Sequence, residues 1–212
     1  MKKFLLFILL IAITAVGLLA YRYNFIPHRS YTDEDFNIEP YISVSDADGD
    51  GVDDQTDILN SVKSYISTNP KYKSEYYDGG YPDGDYGVCT DVVAFSLLGA
   101  GYDLMELVNA DILANPDAYN IERADKNIDF RRVRNLLVYF NNNAQLLTTD
   151  VYDIGEWHGG DIVVFPEHIG IVSDKRNKNG VPFLFHHAYP GQPRYEEDVL
   201  ERYTVTGHFR MP

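Results

Sequence analysis

Between residues 58 and 140 apolar side chains recur at helical spacing, and after residue 160 they come as short β-rich runs. This order of elements does most to limit the folds open to the chain. Ile58, Leu59, Val62, Tyr65 and Ile66 predict one helix, ended by Asn69 and Pro70. A second starts at Cys89, where a loop rich in Gly and Pro gives way to an apolar run, and stops at Gly99 and Gly101. Residues 104–113 predict a third, and residues 127–140, with Phe130, Val133, Leu136, Leu137 and Phe140, a fourth. Residues 161–165, 169–172, 182–186 and 203–209 read as strands, the first two joined by a tight turn. Helices followed by an antiparallel meander define an α+β domain.

Before the helices the chain is different. Met1, Lys2 and Lys3 precede an uncharged apolar stretch over residues 4–20, followed by Arg22. A basic start and an apolar run direct a chain to export. The run is long for a signal peptide and near the lower limit for a spanning helix. Leu18-Leu19-Ala20 is a poor cleavage site, which favours an anchor over a cleaved signal. With an anchor, Lys2 and Lys3 face the cytoplasm and the rest lies outside. The expected division is 1–25 signal peptide or anchor, 26–45 linker, 46–57 a calcium-binding type of loop, and 58–212 the folded domain. A formal charge of −14 excludes nucleic acid as a partner, since that binding needs a positive footprint. The membrane is met only through the N-terminal segment.

Cys89 is the sole cysteine, so the chain has no internal disulfide. At a helix start, unpaired N–H groups and the helix dipole favour a thiolate, the form that attacks carbonyl carbon. Such a nucleophile needs a base and a group that orients the base. Of six histidines, His168 opens one predicted strand, and His186 and His187 close the next. Neighbouring antiparallel strands hold side chains roughly 5 Å apart, so one histidine can be the base and another its orienter. Only one of His186 and His187 can point inward, because a one-residue step flips the face.

Several motifs carry a resemblance. Tyr76-Tyr77-Asp78-Gly79-Gly80, then Cys89, then Gly160-Asp161-Ile162-Val163-Val164-Phe165, then His168-Ile169-Gly170-Ile171-Val172, then a strand ending in His186-His187 is similar to the NlpC-type, papain-like cell-wall cysteine peptidases. More closely, Gly87-Val88-Cys89-Thr90-Asp91-Val92, the run from Asn127 to Leu136, and the run from His168 to Asn177 resemble bacterial domain-of-unknown-function family 1287, from about Ile58 onward. The resemblance implies a papain-like NlpC-type fold, with the nucleophile at a helix start packed on the β-meander. It implies Cys89 as nucleophile, His168 as base, His186 (or His187) as orienter, and Tyr76 beside the nucleophile as a substrate contact. Val88-Cys89-Thr90 departs from the usual Asp-Cys-Ser. The implied activity is hydrolysis or transfer of an amide bond in cell-wall (peptidoglycan) stem peptides. The rival readings are a non-catalytic wall-binding module, or an acyltransferase on the same scaffold. Arg131, Arg132 and Arg134 either clamp a substrate carboxylate or form a solvated helix face.

Residues 46–57 fit a twelve-residue calcium loop. Asp46, Asp48, Asp50, Asp54 and Asp57 fall at positions 1, 3, 5, 9 and 12, Gly51 at position 6, and Val52 at position 7 offers its backbone C=O. Position 12 is Asp where a paired EF-hand has Glu, which shortens its reach. The expectation is one structural Ca²⁺ and no organic cofactor.

Overall fold

The computed structural model describes residues 2–83 and 85–212, so Met1 and Gly84 lie outside the described residues. It is a mixed α+β fold with an antiparallel sheet and an N-terminal apolar helix. That helix, α1 (Lys2–Arg22), has no buried residue. At 1.5 Å per residue its 21 residues reach about 31 Å, enough to cross a bilayer's hydrocarbon core.

The chain does not hang free after α1. Tyr21 stacks on His28 at 4.0 Å, and His28 Nδ1 lies 2.8 Å from Asp198. Tyr31 and Arg176 exchange backbone hydrogen bonds of 2.8 and 2.9 Å. Arg176 is itself buried and donates to Asp33, to Gly180 O (2.7 Å) and to Trp157 O (2.6 Å). The segment expected as a linker thus straps the domain.

α2 (Asp54–Ser67) starts at the N-cap Asp53, whose carboxylate accepts the Thr56 N–H. After the short β1 (Lys71–Tyr72) and β2 (Tyr86–Gly87) come α3 (Cys89–Leu98), α4 (Leu104–Ala114) and α5 (Pro116–Tyr119). The helix predicted over 127–140 is two: α6 (Lys126–Asp129) and α7 (Val133–Asn143). The break has a physical cause. Arg131 leaves the helical path to pair with buried Asp91, and Asn135 caps the broken end by donating to Asp129 O at 2.9 Å.

β3 (Gln145–Leu146), β4 (Ile162–Phe165), β5 (His168–Arg176), β6 (Pro182–Phe185), β7 (Glu196–Glu197) and β8 (Gly207–Arg210) form one sheet in the order β3-β8-β4-β5-β6-β7, antiparallel throughout. The meander therefore covers β4 to β7 only. β8 returns to the far side of β4, where Ile162 faces Phe209. β4, β6 and β8 are buried at every residue, because both sheet faces are covered. On one face Ile162, Val164, Ile169, Ile171 and Phe209 meet Ile58, Val62, Val93 and Phe140 of the helices. On the other, Val163, Phe165, Val172 and Leu184 pack with Trp157, Val199 and Leu200. α3 lies against β5, which sets the cysteine helix beside the strand that starts with His168.

Candidate active site

Cys89 is the first residue of α3, where the sequence puts it. Two local devices fix the turn. The Asp91 carboxylate reaches back to accept the Val88 N–H at 2.8 Å. Gly87 lets Tyr65 close over the backbone: a Cβ there would lie 2.1 Å from the Tyr65 hydroxyl oxygen.

Cys89 is partly exposed, and the backbone amides of Ile169 of β5, Thr90 and Cys89 itself favour its charged form. Burial acts the other way and is larger, pushing the thiol up to about 11. A helix terminus by itself favours a thiolate; at Cys89 burial opposes it.

His168 precedes Ile169, at the first position of β5, opposite Phe165 of β4. Its Nε2 lies 2.9 Å from Nδ1 of His186, with the rings nearly perpendicular. His186 is buried, and its Nε2 lies 3.2 Å from Oε2 of buried Glu197. His186 Nε2 also lies 3.5 Å from the Gln192 amide nitrogen, and the tautomer that turns it to Glu197 sets the row. In that tautomer His186 Nε2–H points to Glu197, and His186 Nδ1 accepts from His168 Nε2–H. The lone pair of His168 is then on Nδ1, free to accept a proton. Burial, and then the neighbouring His186 and His187, pull His168 down to about 3, so it is neutral at physiological pH.

His186 rather than His187 joins the row because the β5–β6 register, with Ile171 opposite Phe185, puts His186 on the face of Gly170 and His168. A Cβ at Gly170 would stand 2.6 Å from Phe185 O. His187 faces away, edge-on to Tyr72 at 5.2 Å and Tyr195 at 5.0 Å, and its Nδ1 has no partner among the described residues. Gln192 holds the turn that follows: it donates to His186 O and Arg194 O and accepts from Ala188 N. A cavity of about 420 Å³ opens on the histidine side, walled by Tyr23, Phe165, His168, His186, Tyr189 and Glu197. Its size suits a small-molecule or peptide ligand. Cys89 is not among its lining residues.

Tyr76 does not join the row. It is half-exposed, and its hydroxyl donates to Asp125 at 3.4 Å and accepts from Asn127 at 3.2 Å. Arg131 is no substrate clamp: it is buried, forked onto Asp91 at 2.6 and 2.9 Å, and donates to Glu75 O. Arg132 is near Asp129 at 3.8 Å. Glu197 carries no sequence signal, because a two-residue strand after a Pro/Gly turn leaves no periodic pattern.

In the acidic loop, oxygens of Asp46, Asp48 and Asp50 come within 4.8 Å of one another. Asp54 does not face them: its carboxylate accepts the Ala47 N–H at 2.8 Å and the Tyr102 hydroxyl. Position 9 is thus bonded to protein groups.

A cysteine at a helix start, against a strand that opens a His–His–Glu row, is the arrangement this α+β domain presents. The family described as Domain of unknown function (DUF1287) matches residues 59–211, and the chain belongs to it. It is 34% identical over 166 residues to "Uncharacterized protein YijF" of Escherichia coli (strain K12), covering 72% of this chain and 80% of that protein. No solved structure matches. The acidic loop precedes the matched region.

Proposed function

We propose that this chain is a cysteine hydrolase or transferase of papain-like, NlpC-type plan, exported and acting on an amide bond in bacterial cell-wall stem peptides. One observation carries the reading: His168 Nε2 is committed to His186 at 2.9 Å, with Glu197 behind, at the start of the strand that packs against the cysteine helix. This leaves His168 Nδ1 as the ring nitrogen free to accept a proton. Cys89 Sγ attacks the amide carbonyl carbon while His168 takes the thiol proton. The charge that forms on the imidazole is met by the Glu197 carboxylate through His186. His168 then gives the proton to the leaving nitrogen, the C–N bond breaks, and a thioester remains. Water or an acceptor amine resolves it. The wall-peptide substrate rests on the motif resemblance, and export on the apolar α1.

A second reading has one observation in its favour. Burial holds the thiol far above the range of an activated cysteine, as suits an inert group in a binding module. The test is digestion of purified peptidoglycan and soluble muropeptides by the full chain in detergent, followed by mass spectrometry of new amine and carboxyl ends. Activity that Cys89→Ala and His168→Ala each abolish, and that Glu197→Gln lowers by ~10²-fold or more, supports the hydrolase. Wild type indistinguishable from Cys89→Ala on every substrate sinks it and leaves the module.

A further inference from the structure

We infer that residues 46–57 form a Ca²⁺ site whose ligands are the carboxylates of Asp46, Asp48, Asp50 and Asp57 and the backbone C=O of Val52, with Asp54 excluded. The loop is already wound for it. Asp46 accepts the N–H groups of Gly49 (2.8 Å), Asp50 (3.1 Å) and Gly51 (3.0 Å), which draws the first, third and fifth positions together. None of the four carboxylates is paired with a Lys or Arg among the described residues.

The independent pointer is Asp57. It stands in the first turn of α2 with only 9% of its surface exposed. Its Oδ2 is buried with no hydrogen-bond partner among the described residues. A buried carboxylate oxygen without a partner costs on the order of 1–3 kcal/mol or more, so the fold does not place one idly. The charges that act on it most strongly are those of Asp50, Asp48 and Asp46, in the loop. A hard divalent cation at that point would satisfy the orphan oxygen and cancel the repulsion together. Ca²⁺ fits better than Mg²⁺, because a flexible loop of four carboxylates and a carbonyl supplies many oxygens without strict octahedral geometry.

Asp54 takes a different part. Its bonds to Ala47 and Tyr102 fasten the loop to the chain just beyond α3. Next to it, Gln55 donates to Asp161 at 2.8 Å. The ion would thus brace the start of α2 against the far end of the cysteine helix. This inference is independent of the hydrolase reading.

The experiment is calcium titration of the EDTA-treated full chain in detergent, by isothermal calorimetry and thermal melting, with Mg²⁺ as control. The expected result is one Ca²⁺ per chain with Kd of about 0.1–1 mM, as for extracellular modules, and a saturable rise in Tm. Asp57→Asn and Asp50→Asn should each weaken binding at least ~10-fold, because each removes a charged ligand. Asp54→Asn should lower the calcium-free Tm while leaving Kd within about 3-fold, since its partners are protein groups. Absence of saturable binding in wild type overturns the site. Undiminished binding in both Asp57→Asn and Asp50→Asn overturns the ligand set, and an equal Mg²⁺ response overturns the choice of ion.

Discussion

Arg131 forks onto both oxygens of Asp91, at 2.6 and 2.9 Å, directly beneath the turn that presents Cys89. The same Asp91 accepts the Val88 N–H, so one ion pair supports the helix start and, through Glu75 O, the loop before it. Both partners are buried. Removing one leaves the other's charge uncompensated, at a cost of about 3–5 kcal/mol. Arg131→Met and Asp91→Asn should each lose about that much by urea denaturation. The double variant should lose far less than the sum, whereas additive losses would mean that the two do not act as a pair.

Tyr65 and Gly87 predict a compensating pair. The Tyr65 hydroxyl is buried with no partner among the described residues, where it would meet any Cβ at Gly87. Gly87→Ala should destabilise by roughly 1–3 kcal/mol through overpacking. Tyr65→Phe should be neutral or stabilising, because it removes an unsatisfied polar atom. Combined, Tyr65→Phe should recover much of the Gly87→Ala loss; no recovery would place the clash elsewhere.

Acid should loosen the fold before the carboxylates titrate. His168 and His187 are pulled down to about 3 and about 4, chiefly by burial. In the unfolded chain both take up protons near pH 6.5. Between those values the unfolded state binds more protons, so stability falls as pH drops below 6.5. The slope is up to about 1.4 kcal/mol per pH unit for each such group. Tm should decline from pH 7 to pH 4, and the His168 ring resonances should not shift over pH 5–8. A flat Tm over that range would contradict the burial of these rings.

The thiol gives a separate test. With Cys89 pushed up to about 11, alkylation by iodoacetamide at pH 7 should be slow and should keep rising through the alkaline range. A rate that levels off below pH 7 would mean a resting thiolate–imidazolium pair instead.

Much of this was readable in the residues. The change from helical to alternating period placed α2, α3 and α4, and the Gly/Pro loop before Cys89 marked the start of its helix. The tight turn before His168 gave the β4–β5 hairpin. What stayed hidden depends on contacts between distant segments. Arg131 breaks a helix only because Asp91, 40 residues earlier, is buried in its reach. Glu197 meets His186 only because Gln192 ties the turn between them. The position of a thiol relative to solvent has no sequence signature, so the opposition of burial to the helix terminus at Cys89 is visible only in the fold.

Tyr23 and Asn24 follow Arg22 directly, and both wall the cavity that reaches His168 and His186. There is no slack between helix and pocket. Were α1 to lie in a bilayer, the cavity would open close to the headgroups and would meet first the molecules that come to that surface. A cut after Ala20 would keep the wall and release the pocket to roam; a cut after Asn24 would open its side. The site of processing would thus set both where this protein fishes and the shape of its net.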